Sequence, residues 1–226
     1  MKSSTATNAA ESFKAQLLDA CATMHLSLDA QQVESIEAYV RQLNRWNAAY
    51  NLTAVRDVAS QWIVHVLDCL AIIAPLQDAL VPGATVIDVG SGGGLPGVLI
   101  AIAAPQVQVH CVDAVGKKTA FLTQLRGALK LDNLHAHHAR VEQLRSGQHA
   151  PAADLIVSRA FSSLADFVRL TDHLRAPGGR WCAMKGVVPH DEIAALPPGV
   201  RVNRTLALHV PHLDAERHLL FLDPIA

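Results

Sequence analysis

Thr85-Val86-Ile87-Asp88-Val89-Gly90-Ser91-Gly92-Gly93-Gly94-Leu95-Pro96-Gly97 reads as a strand, a glycine-rich turn and the start of a helix. The run Ala84–Val89 is rich in β-branched residues and suits a buried parallel strand. Glycines at 90, 92 and 94 allow a tight turn and let the backbone approach a ligand with no Cβ in the way. Pro96 is expected to open the helix, where its missing N–H costs nothing. Gly92, Gly94 and Gly97 also spell a formal G-x-G-x-x-G, which alone signifies no more than a tight strand-to-helix turn.

Two carboxylates add chemistry to that turn. Asp88 ends the first strand, and Asp113 ends the next apolar run, Val107–Asp113. Asp113 falls about 20 residues after the glycines, where a nucleotide-binding α/β unit places its acceptor for ribose hydroxyls. Asp88 points away from a dinucleotide, because a carboxylate at the turn repels a pyrophosphate. S-Adenosyl-L-methionine has no phosphate and carries an ammonium and a sulfonium, so an acid there favours it. The spacing Asp88-x-Gly90-x-Gly92-x-Gly94 resembles the first motif of the class I methyltransferases.

At 226 residues, 50% hydrophobic and 17% charged, the chain can bury a substantial core and is not of disordered composition. The runs Val66–Leu76 and Val98–Pro105 are too short or too broken to span a bilayer, and residues 1–10 are polar and small, unlike a secretory signal. The four cysteines (21, 69, 111 and 182) form no C-x-x-C pair and read as free thiols. A net charge of −1 excludes a global basic field. The distribution is uneven, with five of the 19 Lys and Arg in residues 1–112 and the other 14 beyond, which permits a basic face on the second half.

Helical spacing predicts amphipathic helices over 11–26 and 29–50, the second capped by Asp29, and a third over 57–76. Trp46, Tyr50 and Trp62 are expected to anchor the core, with base stacking as the alternative. Strands and helices then alternate: strand 107–113, helix 117–130, strand 134–138, helix 141–145, strand 155–158, helix 164–175 and, after a Pro177-Gly178-Gly179 turn, strand 180–184. That alternation implies an α/β, doubly wound, mostly parallel sheet. Segments 200–209 and 217–222 read as a C-terminal antiparallel hairpin. The organisation expected is one domain, 1–226, with an N-terminal helical extension (1–80) and a cofactor-binding core (81–226).

Ligands of such sheets bind beyond the strand carboxyl ends. Asp88, Asp113, Arg140-Val141-Glu142, Ser158-Arg159-Ala160 and Lys185-Gly186 fall there. Val141 and Glu142 either flank an adenine ring or simply begin a helix, where a carboxylate is favoured. His65 and Asp68, at i and i+3, either pair with each other or turn His65 toward the pocket. His135, His137 and His138 lack a Cys or acid at ligand spacing, so no metal site is assigned.

Taken together, Asn51-Leu52-Thr53-Ala54, His65-x-x-Asp68, Asp88-Val89-Gly90-Ser91-Gly92, Leu95-Pro96-Gly97, Lys117-Lys118, Arg140-Val141-Glu142, Ser158-Arg159-Ala160-Phe161 and Met184-Lys185-Gly186 resemble the ribosomal small subunit methyltransferase G family, also called glucose-inhibited division protein B. The resemblance spans roughly Asn44 to Gly186. It implies a bacterial, cytoplasmic enzyme that uses S-adenosyl-L-methionine to methylate N7 of guanine at position 527 of 16S rRNA. Its partner is then 16S rRNA, the 30S ribosomal subunit or an assembly intermediate, with no membrane and a monomeric protein. Gly90, Leu95, Val141, Glu142 and Arg159 match the family's cofactor contacts, and Asp88, Gly92 and Asp113 join them from the reading above. Leu95 stands where phenylalanine is common in the family, and Gly93 where another small residue or proline is usual. Lys117, Lys118, Arg126 and Lys185 are expected to form a phosphate-contacting rim, and no acid–base catalytic residue is assigned. The competing readings are a nicotinamide-dependent oxidoreductase, a small-molecule methyltransferase and a non-catalytic RNA-binding assembly factor.

Overall fold

The computed structural model describes residues 2–50 and 62–225, with side chains from 13 to 50 and from 65 to 225. Two N-terminal helices, α1 (Lys2–Thr23) and α2 (Ala30–Tyr50), precede the sheet. Asp29 starts α2 as a capping box: its Oδ1 accepts from the Gln32 N–H at 2.8 Å, and Gln32 Oε1 accepts from the Asp29 N–H at 2.8 Å. Val33, Ile36, Tyr39, Val40 and Leu43 form the buried stripe that docks the helix.

The expected third helix is instead a broken segment. A π-type turn (Trp62–Leu67) runs into one α-turn (Asp68–Leu70), and a 3₁₀ turn follows at Ala74–Leu76. Pro75 has no N–H to give and obstructs a continuing α-helix. Its first residues, 57–61, and the motif 51–54 lie outside the described residues.

The sheet then alternates with helices: β1 (Thr85–Val89), α3 (Gly97–Ala103), β2 (Gln108–Asp113), α4 (Gly116–Leu129), β3 (Leu134–His138), β4 (Ala153–Arg159), α5 (Leu164–Thr171) and β5 (Arg175–Lys185). A short helix, α6 (His190–Ala194), and the strands β6 (Val200–Ala207) and β7 (His218–Pro224) complete it. The strand order is β3-β2-β1-β4-β5-β7-β6, with β1 to β5 parallel and β7 antiparallel to both neighbours. The chain moves outward from β1 through β2 to β3 and then crosses back to β4, so a ligand crevice opens at the carboxyl ends of β1 and β4.

Alternate strand residues feed two layers. Val86, Val109, Leu155, Val157 and Met184 pack with α2, α3 and α4, while Ile87, Val112, Ile156 and Trp181 pack with α5. Pro96 caps α3 and does not occupy its first turn. The helix expected over 141–145 is only a 3₁₀ turn, Val141–Gln143, since so short a run cannot repay helix nucleation. The Pro177-Gly178-Gly179 turn lies inside β5, beside a shift in its register with β4; a bulge is one of the few sheet positions that tolerate proline. All four cysteines are buried free thiols.

Of the three expected aromatic anchors, Trp46 packs partly buried on the core, and the Trp62 side chain lies outside the described ones. Tyr50, the last described residue of α2, is 49% exposed. His110, His135 and His137 stack on one face of β2 and β3, with His110 Nδ1 2.9 Å from His137 Nε2. No group of three possible metal ligands occurs among the described residues.

Candidate active site

The glycine turn has conformations and clearances that explain its composition. Gly90 has φ +70°, and a Cβ there would meet nothing within 4 Å, so its backbone forms open floor in the crevice. Gly94 has φ +93° and no such room: a Cβ would lie 2.3 Å from Val98 Cγ2 and 2.7 Å from Leu122 Cδ2. The turn is also pinned from outside. The Tyr39 hydroxyl, fully buried on α2, donates to the Gly93 carbonyl at 2.9 Å. Asp113 Oδ2 accepts from the Gly92 N–H at 2.9 Å, and Oδ1 accepts from the Val115 N–H at 2.8 Å. Oδ2 also lies 3.5 Å from Lys118 Nζ, while Oδ1 can accept a second bond, so Asp113 retains capacity for a ligand.

Asp88 sits beneath the turn and not in the crevice. Its carboxylate is completely buried; Oδ2 accepts from the Gly97 N–H at 2.8 Å. The first N–H of α3 draws the acid inward, since a helix N-terminus leaves donors unmet. Asp88 Oδ1 has no partner among the described residues and is the atom left for the expected interaction with the methionine end of a cofactor, direct or through water. Burial raises the Asp88 pKa to about 7, against the lowering pull of the Gly97 N–H and the Arg159 charge.

The native carboxyl therefore binds its proton at a pH where the unfolded one has released it. Stability falls as pH rises from about 4 to about 7 through this group. Asp88→Asn keeps an acceptor for Gly97 and removes the titration. Its melting temperature minus that of the unsubstituted protein should increase between pH 4.5 and 8. The buried histidines have the opposite slope, but they are common to both proteins and cancel. Parallel melting curves over that range would show that Asp88 does not titrate as described.

Two cavities meet at the end of β4. The first, about 310 Å³, is lined by Gly90, Asp113, Val141, Glu142, Phe161 and Leu170 among others. The second, about 430 Å³, is lined by His65, Asp68, Arg159, Met184, Lys185 and Arg217, with Ala160 and Gly186. Between them runs Arg159-Ala160-Phe161, in which Ala160 has φ +61°. A left-handed alanine is strained, and here it turns Arg159 and Phe161 to different cavities.

The second cavity is built on Asp68. Its Oδ1 accepts from Arg217 Nε at 3.0 Å, and its Oδ2 lies 3.5 Å from Arg159 Nη1. Burial raises the Asp68 pKa, with both guanidinium charges opposing. Arg159 Nη2 donates to His65 Nδ1 at 3.1 Å. A guanidinium only donates, so His65 carries its proton on Nε2. Burial first, and then the Arg159 charge, lower its pKa to about 4, leaving a neutral imidazole. His65 and Asp68 thus meet through Arg159 and not directly. Lys185 is held by Glu192 at 2.8 Å.

The structure brings Gly90, Asp113, Val141 and Glu142 together in the first cavity and puts Arg159 in the second. Gly92 contributes through its bond to Asp113. Leu95 is buried beneath the turn, with its side chain packed in the core. Of the rim residues, Lys117 donates to the Tyr50 carbonyl at 2.9 Å, and Lys118 pairs with Asp113 at 3.5 Å. The ion pair with Glu192 neutralises Lys185, so it does not serve the rim as a free cation. Arg126 is displaced for a geometric reason: α4 runs back from the crevice, and ten residues at 1.5 Å each carry Arg126 about 15 Å away from Gly116. Tyr39, Arg217 and Leu170 were missed by the sequence reading, which holds no local signal for them.

These residues fit an adenosyl-sulfonium group. Val141, Phe161 and Leu170 offer apolar walls for a flat base, and Asp113 and Glu142 offer acceptors for hydroxyls. Among the described residues, four buried side-chain polar atoms lack a partner: Gln42 Oε1, His65 Nε2, Asp88 Oδ1 and Ser158 Oγ. All but the first stand at this end of the sheet, where a ligand or water would complete them.

Strand order, crevice and cavity chemistry are those of a class I, S-adenosyl-L-methionine-dependent methyltransferase. Solved structures share the fold. A SAM-dependent methyltransferase from Aquifex aeolicus matches with TM-score 0.56 at 15% identity, over 74% of this chain and 93% of that one. A SAM-dependent methyltransferase from Geobacter sulfurreducens, in complex with S-adenosyl-L-homocysteine, matches with TM-score 0.54 at 14% identity, over 82% and 98%. Sequence comparison is more specific. The family model for rRNA small subunit methyltransferase G matches residues 32–220. Ribosomal RNA small subunit methyltransferase G of Burkholderia ambifaria is 52% identical over 205 residues, 90% of this chain and 89% of that protein. The protein of the same name from Bordetella avium is 49% identical over 210 residues, 92% of each. The chain belongs to the rRNA small subunit methyltransferase G family.

Proposed function

We propose that this protein transfers a methyl group from S-adenosyl-L-methionine to N7 of guanine at position 527 of 16S rRNA. The observation that carries the reading is the pair of cavities on either side of the Arg159-Ala160-Phe161 turn, one suited to an adenosyl group and one open beside it for a base. When bound, the cofactor supplies an electrophilic methyl on a positively charged sulfur. Guanine N7 has a lone pair and no proton at neutral pH. As the N–C bond forms, the C–S electron pair returns to sulfur, leaving a neutral thioether and a cationic base.

No proton need be removed, and the second cavity offers no free base. Asp68 is engaged by two arginines, and His65 Nδ1 already accepts from Arg159. Rate then comes from positioning N7 in line with the methyl–sulfur bond and from the surrounding charge. The target base must leave its RNA loop to enter, as single-stranded recognition usually requires. Residues 1–226 act as one catalytic unit, a cytoplasmic monomer working on the small subunit or an assembly intermediate. No helix among the described residues is long and apolar enough to cross a membrane.

The test is transfer of labelled methyl to small subunits, and to naked 16S rRNA, from a strain lacking the modification. Label should appear in 7-methylguanosine at the one position. Label in another nucleoside, or at another guanine, would overturn the reading.

A further inference from the structure

Tyr50 has no role in either cavity, yet its setting is unusual. The other Phe, Trp and Tyr side chains among the described ones are buried or partly buried, whereas Tyr50 is 49% exposed. Its ring is also backed. It lies 4.9 Å from the Trp46 ring, and Trp46 lies 5.5 Å from the fully buried Phe121, so three rings step outward from the core. A backed ring gives up little conformational freedom when something stacks on it.

The helix direction places this ring at the crevice end. Gln32, at the start of α2, donates to the Ile102 and Ala103 carbonyls at the far end of α3. Tyr39 reaches the glycine turn, and Tyr50 lies eleven residues further, about 16 Å along the helix. There its carbonyl accepts from Lys117 Nζ at 2.9 Å, which holds an exposed ammonium at the Tyr50 backbone with two donors still available. An aromatic face with a neighbouring cation matches the two parts of a single-stranded nucleotide, a base to stack and a phosphate to neutralise.

We propose that Tyr50 is a stacking platform for an unpaired nucleotide flanking the target guanine, with Lys117 on its phosphate. This rests on the RNA substrate read above. The distance from the turn assigns Tyr50 to a neighbouring nucleotide and not to the base being methylated.

The test uses the full chain with small subunits as substrate. Tyr50→Ala should raise the KM for subunits about tenfold or more, the range found for loss of one base stack. Its kcat, melting temperature and S-adenosyl-L-methionine affinity by calorimetry should be unchanged. Tyr50→Phe and Tyr50→Trp should restore the KM, because each keeps a flat face. Lys117→Gln should lower the slope of log affinity against log salt by about 0.7, one phosphate contact on a single strand. An unchanged KM in Tyr50→Ala, or a Tyr50→Phe as impaired as Tyr50→Ala, would overturn the platform. Label in a nucleoside other than 7-methylguanosine in the unsubstituted enzyme would instead overturn the assigned reaction, so the two failures are distinguishable.

Discussion

Gly94→Ala is expected to lower the melting temperature by about 10 °C and to abolish cofactor binding, while Gly90→Ala costs about 3 °C. Both positions have positive φ, which penalises any Cβ by about 1 kcal/mol or somewhat more. Only at Gly94 would the new carbon also overlap Val98 and Leu122, at 2.3 and 2.7 Å. Overpacking of that kind adds about 1–3 kcal/mol, and in a chain of this size each kcal/mol moves the midpoint by about 2–4 °C. Gly90→Ala should fold and still bind poorly, because its methyl stands on open crevice floor. Calorimetric unfolding and ligand titration of the two variants side by side make the comparison. Equal losses of stability would mean that Val98 and Leu122 yield without cost.

Arg159→Ala is expected to cut kcat/KM by about a thousandfold, mainly through weaker binding of S-adenosyl-L-methionine. Three arginines line the two cavities, Arg140 the first and Arg159 and Arg217 the second. Arg140 adjoins Val141 and Glu142, at the end that suits the adenine, and Arg217 precedes β7, two strands further from β1 than β4, so the cofactor carboxylate is assigned to Arg159. Removing it forfeits a charge-assisted contact and also unpairs one side of buried Asp68 and His65. About 4 kcal/mol corresponds to that thousandfold. Arg159→Lys restores charge without the planar fork and should recover stability more than activity. A folded Arg159→Ala variant with unchanged cofactor affinity would move the carboxylate elsewhere and leave Arg159 to the RNA base.

The sheet was legible because its evidence is local. The β-branched run at Thr85–Val89 and the short alternating segment Leu134–His138 fix strands within a few residues, and the glycines between β1 and α3 announce the crevice. Asp113 was located by its spacing from the glycines, and Val141 and Glu142 by strand-end position together with the family resemblance. What failed was whatever depended on direction or on distance along the chain. Asp88 was placed at the right turn, but strand-end position does not reveal that its carboxylate is completely buried beneath it. Arg126 follows Lys117 and Lys118 closely in sequence, yet the return run of α4 separates it from them. Tyr39 and its acceptor are 54 residues apart, and Arg217 and Asp68 are 149 apart. No periodicity or motif joins such partners; only the assembled fold does.

The hydroxyl of Tyr39 on the Gly93 carbonyl has a consequence beyond holding a turn in place. It makes the docking of α2 and the grip of the glycines on a ligand a single coupled equilibrium. Coupling free energy is reciprocal, so a ligand that steadies the turn protects a helix it never touches, and whatever frays that helix weakens the ligand by the same factor. The first fifty residues are in this sense a handle on the cofactor. A subunit surface that pressed on α2 would be tuning affinity for a small molecule from the outside.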